Sequence, residues 1–303
     1  MSTQTLLIHI GLHKAASTFL QKNVWPFLFG TEKSITNGTR TAWRIIQDLS
    51  QDIHTREVDL ISRETFSGTI RPIRPGHSWS IFKRFVTVAS KIRPKPKILM
   101  VIRQHQEFLW SAYLEAYKKR LFNGTYQDYL SFFNDEDLSW SMRIHELKKN
   151  FRNVLVISQE ELKEDLIHSV QDICKFANLH NAPIDQILAQ AVKGDGNIAP
   201  QTKASLWFSR TLHTKSGKAV FRITNSILKR LPYENYKLLD RGETRNSLVK
   251  VTDRILPGAR LLPESLPAER ALKLMSDWEE AKKHTGLINA HGHPVSARTH
   301  SLS

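Results

Sequence analysis

The sequence predicts an α/β fold built on a largely parallel sheet. Three observations lead there. Short apolar runs recur at 5–10, 58–62, 97–102 and 153–157, each the length of a strand. Helical patterns separate them, and strand–helix alternation is the pattern of parallel α/β sheets. The strongest runs are continuous rather than alternating, as in strands covered on both faces.

The first run, Thr5-Leu-Leu-Ile-His-Ile10, reads as a buried strand ending at Gly11. A helix is expected from about Ser17, with Phe19, Leu20 and Val24 on its apolar side. Val58-Asp-Leu-Ile-Ser62 is a second short strand. Residues 68–77, broken by Gly and Pro, form a loop, and 79–92 is helical. Lys97-Ile-Leu-Met-Val-Ile102 follows the breakers Pro94 and Pro96 and is the clearest strand. Helices fit 105–122 and 138–150, then a strand at 153–157 and a helix over about 165–178. From 183 onward the patterns are helical, with no strand. Residues 290–303 read as a frayed tail.

Composition narrows the function classes. The 303 residues are 40% hydrophobic and 24% charged, ordinary for a folded domain and wrong for a disordered or fibrous chain. The single cysteine, Cys174, excludes an intrachain disulfide, and its place beside Ile173 and Phe176 suggests a buried thiol. No apolar run approaches a membrane span, and the first residues lack the basic and apolar regions of a signal peptide. The expectation is a cytoplasmic protein. Lys and Arg number 44 against 29 acidic residues, a formal charge of +15 that favours anionic ligands. Residues 197–260 hold 13 of the basic residues and only 4 acidic ones, which sets the C-terminal third apart.

Two segments carry chemistry. After the first strand, Gly11-Leu12-His13-Lys14-Ala15-Ala16-Ser17-Thr18 runs from strand through a basic pair and small residues to two hydroxyls and a helix. Such a turn directs backbone N–H groups, the Lys14 ammonium and the hydroxyls at one anion. It is not a Walker A loop, which needs two glycines and Gly-Lys followed directly by Ser or Thr. The plain alternative is an ordinary helix start. After the third strand, Arg103 stands at the carboxyl edge, where α/β sheets bind ligands, and Ser111 lies two turns into the next helix. A guanidinium fork and a hydroxyl there suit a second anion.

Together the two segments resemble the sulfotransferase family that uses 3′-phosphoadenosine-5′-phosphosulfate (PAPS). The first is similar to that family's 5′-phosphosulfate loop, in the Gly-x-His-Lys form found in bacterial members. Arg103, Ser111 and Tyr113 resemble its 3′-phosphate site, and Ser158-Gln-Glu-Glu-Leu162 resembles the acidic turn that follows the next strand. Two departures stand out. The family loop usually carries Gly where Ala16 stands, and the Arg-Lys-Gly element that closes the nucleotide site in cytosolic members is absent, leaving Lys193-Gly194 and Lys203 as substitutes.

The resemblance covers about residues 5–180 and implies a P-loop-like three-layer, PAPS-binding core, taken as residues 1–182; the residue pattern adds a mostly helical basic region over 183–289 and a flexible tail over 290–303. It implies a PAPS co-substrate and no metal. Gly11, His13, Lys14, Ala15, Ala16, Ser17 and Thr18 would hold the 5′-phosphosulfate, with Lys14 stabilising the leaving oxygen. Arg103 and Ser111 would hold the 3′-phosphate. The acceptor hydroxyl or amine needs a base, and Glu64, just past the second strand, is the first choice; His105 and His13 are the alternatives, by pKa. A Glu base matches the carbohydrate sulfotransferases, so a carbohydrate or glycolipid acceptor is expected.

Two other functions compete: a P-loop-type kinase or nucleotide-binding protein, and a nucleic-acid binder using the basic 197–260 region, with Trp207, Phe208, Phe221 and Tyr233 interleaved. The sulfotransferase reading expects no nucleic-acid partner. Residues 204–231 pair an apolar face with Arg210, Lys215, Lys218, Arg222, Lys229 and Arg230, and fit either packing on the core or a peripheral contact with an anionic membrane.

Overall fold

A computed structural model describes residues 6–12, 15–36, 38–52, 58–179, 182–193 and 265–287. The tail and the basic stretch 197–260, with the amphipathic segment inside it, lie outside the described residues.

The strands are β1 (Leu7–Gly11), β2 (Ser34–Ile35), β3 (Leu60–Ser62), β4 (Lys97–Ile102), β5 (Val154–Ser158) and β6 (Gly286–Leu287). They form one sheet in the order β2-β3-β1-β4-β5-β6. The first five are parallel, with Ile8 opposite both Ile61 and Ile98. The short β6 pairs antiparallel with β5 and corrects the expectation of no strand beyond 183. Two residues on a sheet edge are too few to leave a pattern in the sequence.

The helices are α1 (Ser17–Asn23), α2 (Trp25–Phe29), α3 (Thr39–Ser50), α4 (His77–Ala89), α5 (His105–Lys118), α6 (Tyr126–Leu130), α7 (Asp135–Leu138), α8 (Trp140–Asn150), α9 (Gln159–Glu164), α10 (Leu166–Ala177) and α11 (Ile184–Lys193), with a late helix at Ala268–Lys282. None of the described helices is long and apolar enough to cross a membrane. One group packs through α1, α2, α10 and α11, another through α3, α4, α8, α5 and the late helix. Every residue of β1, β4 and β5 is buried, as the continuous apolar runs require of a sheet covered on both faces.

Helix ends follow local chemistry. The helix expected over 105–122 stops at Lys118 because Arg120 adopts φ 58° and Leu121 N–H turns back 2.9 Å to the Ala116 carbonyl. That is a Schellman ending with Arg at the position glycine or asparagine usually takes. Asn178, at φ 62°, ends α10 the same way. Asp277 of the late helix accepts from Ser139 Oγ at 2.6 Å, Trp140 N–H at 2.7 Å and the Ser141 hydroxyl, so it satisfies the open N-terminus of α8 from another element. Cys174 is buried, and burial pushes its thiol up to about 11.

The topology fixes where ligands bind. From β1 the chain moves outward to β2, returns to β3, then crosses to β4 and β5 on the other side. The strand order therefore reverses between β1 and β4, and the crevice outside the carboxyl ends at such a switch point is the binding place of open α/β sheets.

Candidate functional site

Three chain segments leave neighbouring strand ends at this edge: the loop after β1, the turn after β3 and the start of α5 after β4. His13 and Lys14 lie outside the described residues. Leu12 N–H bonds the Val101 carbonyl at 3.0 Å, and Ala15 N–H closes a turn onto the Leu12 carbonyl at 3.0 Å. Ala16 stands at φ 59°, ψ 7°, in the left-handed region. The conformation a glycine would supply is thus kept with an alanine, at roughly 1–2 kcal/mol of backbone strain. Gly11 has a different reason: a Cβ there would collide with Ser17 Oγ. Ser17 is buried, and its hydroxyl finds no hydrogen-bond partner among the described residues, whereas Thr18 is exposed. A buried, unsatisfied donor at the base of a loop fits an anionic oxygen.

The turn after β3 is fastened to the same loop. Arg63 N–H donates to the His9 carbonyl at 2.9 Å, which extends the β1–β3 ladder by one bond. Glu64 opens a 3₁₀ turn, Glu64–Phe66, and the following Ser67 Oγ lies 2.6 Å from the Gly11 carbonyl and 2.7 Å from the Glu64 carbonyl. The backbone of Glu64 is thereby held beside the start of the β1 loop. The Arg63 guanidinium donates to the Thr36 carbonyl at 2.8 Å and Thr39 Oγ1 at 2.7 Å; burial lowers its pKa and the Glu64 charge opposes that.

At the end of β4, Arg103 donates through Nη2 and Nε to Glu107 Oε2, at 2.8 and 3.2 Å. Its carbonyl accepts the Trp140 indole N–H at 2.9 Å. Ser111 follows Glu107 by one helical turn, so the Arg103 partner and the expected anion hydroxyl share a face of α5. His105 points elsewhere. It is buried, stacks on Trp140 at 4.6 Å, and its Nε2 lies 2.7 Å from the Leu138 carbonyl and 3.2 Å from Asp277 Oδ2. The sequence offers His105 as a base, but the structure engages it in the packing of α5, α8 and the late helix.

Several contributors are invisible in the sequence. Ser67 looks like loop polarity until its bond to Gly11 is seen. Buried Arg143 donates to the carbonyls of Glu136, Asp137 and Ser139 at 2.8–2.9 Å and reaches the Ser67 carbonyl at 3.4 Å. Burial pushes its guanidinium down to about 10 against the opposing charges of Asp137 and Asp277. The Ser158–Glu161 pair is a capping box, with Ser158 N–H 2.7 Å from Glu161 Oε2, and Glu161 also accepts from Thr285 Oγ1 at 2.8 Å. A cleft of about 280 Å³ opens near the β3 turn, lined by Gln21, Thr31, Ser34, Thr36 and Thr41, with Trp25 and Pro26. Of the segments offered to close the nucleotide site, Lys193 ends α11, and Gly194 and Lys203 lie outside the described residues.

Comparison with known proteins identifies the family. A family profile described as a sulfotransferase domain matches residues 5–215. None of the curated protein sequences matches. Among solved structures, a sulfotransferase from Alicyclobacillus acidocaldarius is 13% identical, with a TM-score of 0.36 over 59% of this chain and 83% of its own. A mouse sulfotransferase complexed with PAP is 14% identical, with a TM-score of 0.40 over 90% and 89%. A retinol dehydratase in complex with retinol and PAP is 11% identical, with a TM-score of 0.41 over 94% and 83%.

Proposed function

This chain belongs to the sulfotransferase family, and from that premise we propose that it moves the sulfuryl group of PAPS to a hydroxyl or amine of a carbohydrate or glycolipid acceptor. The observation that carries the reading is the convergence of three elements at the β1/β4 switch point. These are a loop with a buried hydroxyl at Ser17 that has no partner among the described residues, a carboxylate-bearing turn fastened to that loop at Gly11, and Arg103 with Ser111 on the adjoining strand end and helix.

In this reading Ser17, Thr18 and the N–H groups of the Gly11–Thr18 loop bind the 5′-phosphate, and Arg103 and Ser111 bind the 3′-phosphate. On binding, the Arg103 guanidinium exchanges Glu107 for phosphate, a stronger bidentate partner. Glu64 takes the proton from the acceptor O–H as the new S–O bond forms. The bond from sulfur to the bridging oxygen breaks, and its electron pair leaves with the 5′-phosphate, giving 3′,5′-bisphosphoadenosine. Lys14 neutralises charge on that oxygen, and positioning with charge stabilisation supplies the catalysis, without a metal. The hydroxyl-rich lining of the cleft beside Arg63 supports a polyhydroxylated acceptor.

Thermal stabilisation separates this reading from the kinase alternative. A ligand that binds only the folded state raises the melting temperature. 3′,5′-Bisphosphoadenosine is expected to raise it by several degrees and ATP–Mg²⁺ to leave it unchanged; the reverse pattern would reassign the reaction to phosphoryl transfer.

A further inference from the structure

We propose that His9 is the positioning residue for the Ser17 hydroxyl: its Nε2–H donates to Ser17 Oγ when the loop is filled, and the Ser17 O–H then donates to the 5′-phosphate. The inference rests on the nucleotide reading above and adds to it a residue that the loop motif does not contain.

Ser62 Oγ lies 3.2 Å from Gln21 Nε2, 3.2 Å from the Trp25 indole nitrogen and 2.7 Å from His9 Nδ1. The indole N–H only donates. The Gln21 amide is oriented as a donor by its second contact, 3.2 Å to the Ser62 carbonyl. Two donors occupy both lone pairs of Ser62 Oγ, so its one hydrogen goes to His9 Nδ1. The hydrogen of the neutral imidazole must then sit on Nε2, the second-partner logic that fixes a histidine tautomer. Burial agrees with a neutral ring, because it pushes His9 down to about 4 although the Glu64 charge works the other way.

That Nε2–H is fully buried and has no acceptor among the described residues. It faces the place a Cβ on Gly11 would occupy, 3.2 Å away, and Ser17 Oγ lies against the same place. Two buried groups without a partner among the described residues therefore flank the space that a side chain on Gly11 would fill. Histidine supplies the donor and serine the relay, and an anion in the loop supplies the terminal acceptor that both lack. The Trp25 ring, 5.4 Å from the imidazole, fixes its orientation.

Calorimetry on a double-mutant cycle tests the relay, with 3′,5′-bisphosphoadenosine as probe and adenosine 3′-phosphate as the control lacking the 5′ group. His9→Asn keeps an acceptor for Ser62 but is too short to reach Ser17. It is expected to weaken 3′,5′-bisphosphoadenosine about tenfold, the scale of one buried hydrogen bond. In a Ser17→Ala background, and for adenosine 3′-phosphate, the same change is expected to cost less than about twofold. His9→Gln, whose amide reaches further, is expected to recover part of the loss. Should His9→Asn fail to fold, Ser62→Ala replaces it in the cycle. It frees Nδ1 to take the hydrogen and is expected to weaken binding about threefold only where Ser17 is present. Equal losses in both backgrounds, or for both ligands, overturn the relay and leave His9 a packing residue while the nucleotide reading stands. No binding of 3′,5′-bisphosphoadenosine by the wild-type protein overturns the nucleotide reading itself, and the relay with it.

Discussion

Ser67 Oγ sits 2.6 Å from the carbonyl oxygen of Gly11, and through this bond the turn carrying Glu64 is fastened to the strand end where the β1 loop begins. The residues are 56 apart in sequence: Gly11 ends β1, and Ser67 closes the turn that follows β3. Removing the hydroxyl frees the turn while leaving the loop's own side chains and the carboxylate in place. Ser67→Ala is expected to lower kcat about tenfold, the scale of one buried hydrogen bond, and to leave affinity for 3′,5′-bisphosphoadenosine within about threefold. Steady-state kinetics with calorimetry on the same preparation checks the split.

Glu64→Gln removes the proposed base while keeping the size of the side chain. It is expected to abolish most turnover, a loss of at least about a hundredfold, and to leave nucleotide affinity near that of the wild type. The readout is release of 3′,5′-bisphosphoadenosine from PAPS in the presence of carbohydrate acceptors. Near-normal turnover in Glu64→Gln, with loss in His13→Ala, would move the base to His13.

Ala16 holds a left-handed backbone at φ 59° that a side chain opposes. Ala16→Gly is expected to raise stability by about 1 kcal/mol, because the relief of strain outweighs the extra freedom glycine gives the unfolded chain. Denaturant unfolding with an unchanged m-value checks this; a loss of stability would show that the alanine methyl makes compensating contacts.

Acid should destabilise the protein in two separate windows. Burial lowers His9 from 6.5 to about 4. Below pH 6.5 the unfolded chain binds a proton that the folded chain refuses, so stability falls as pH drops from 6.5 to about 4, by about 3 kcal/mol in all. At Asp277 burial works to raise the pKa, but bonds from His105, Ser139 and Ser141 outweigh it and hold the carboxyl at about 2. Its contribution is complete above its ordinary value of 3.8 and is lost as pH falls from there towards 2. Unfolding free energy measured from pH 7 to 3 is expected to lose its upper slope in His9→Asn and its lower slope in Asp277→Asn.

Much of this was legible in the chain. β4 is readable to the residue because it is buried on both faces and preceded by prolines, and that places Arg103 at the sheet edge. The loop after β1 was readable because strand, glycine, lysine and hydroxyls follow one another locally. What stayed hidden depends on contacts between distant segments. His9 sits in an apolar run, and its significance appears only when Ser62, 53 residues on, is seen to set its tautomer. β2 and β6 have two residues each, too short for any period. His105 is offered by its place beside Arg103, yet Leu138, Trp140 and Asp277 surround it. The end of α5 was overrun because an arginine, not a glycine, takes the left-handed position.

The central claim is that the β1 loop and the β4 edge together hold a nucleotide with phosphates at both the 3′ and 5′ positions. Titration calorimetry of 3′,5′-bisphosphoadenosine into the wild-type protein and Arg103→Ala tests it most directly. One nucleotide should bind per chain, and the substitution should weaken it by about 1.5–3 kcal/mol, or roughly 10–150-fold, the scale of a charge-assisted hydrogen bond. No binding by the wild-type protein, or equal affinity in the two proteins, would contradict the account.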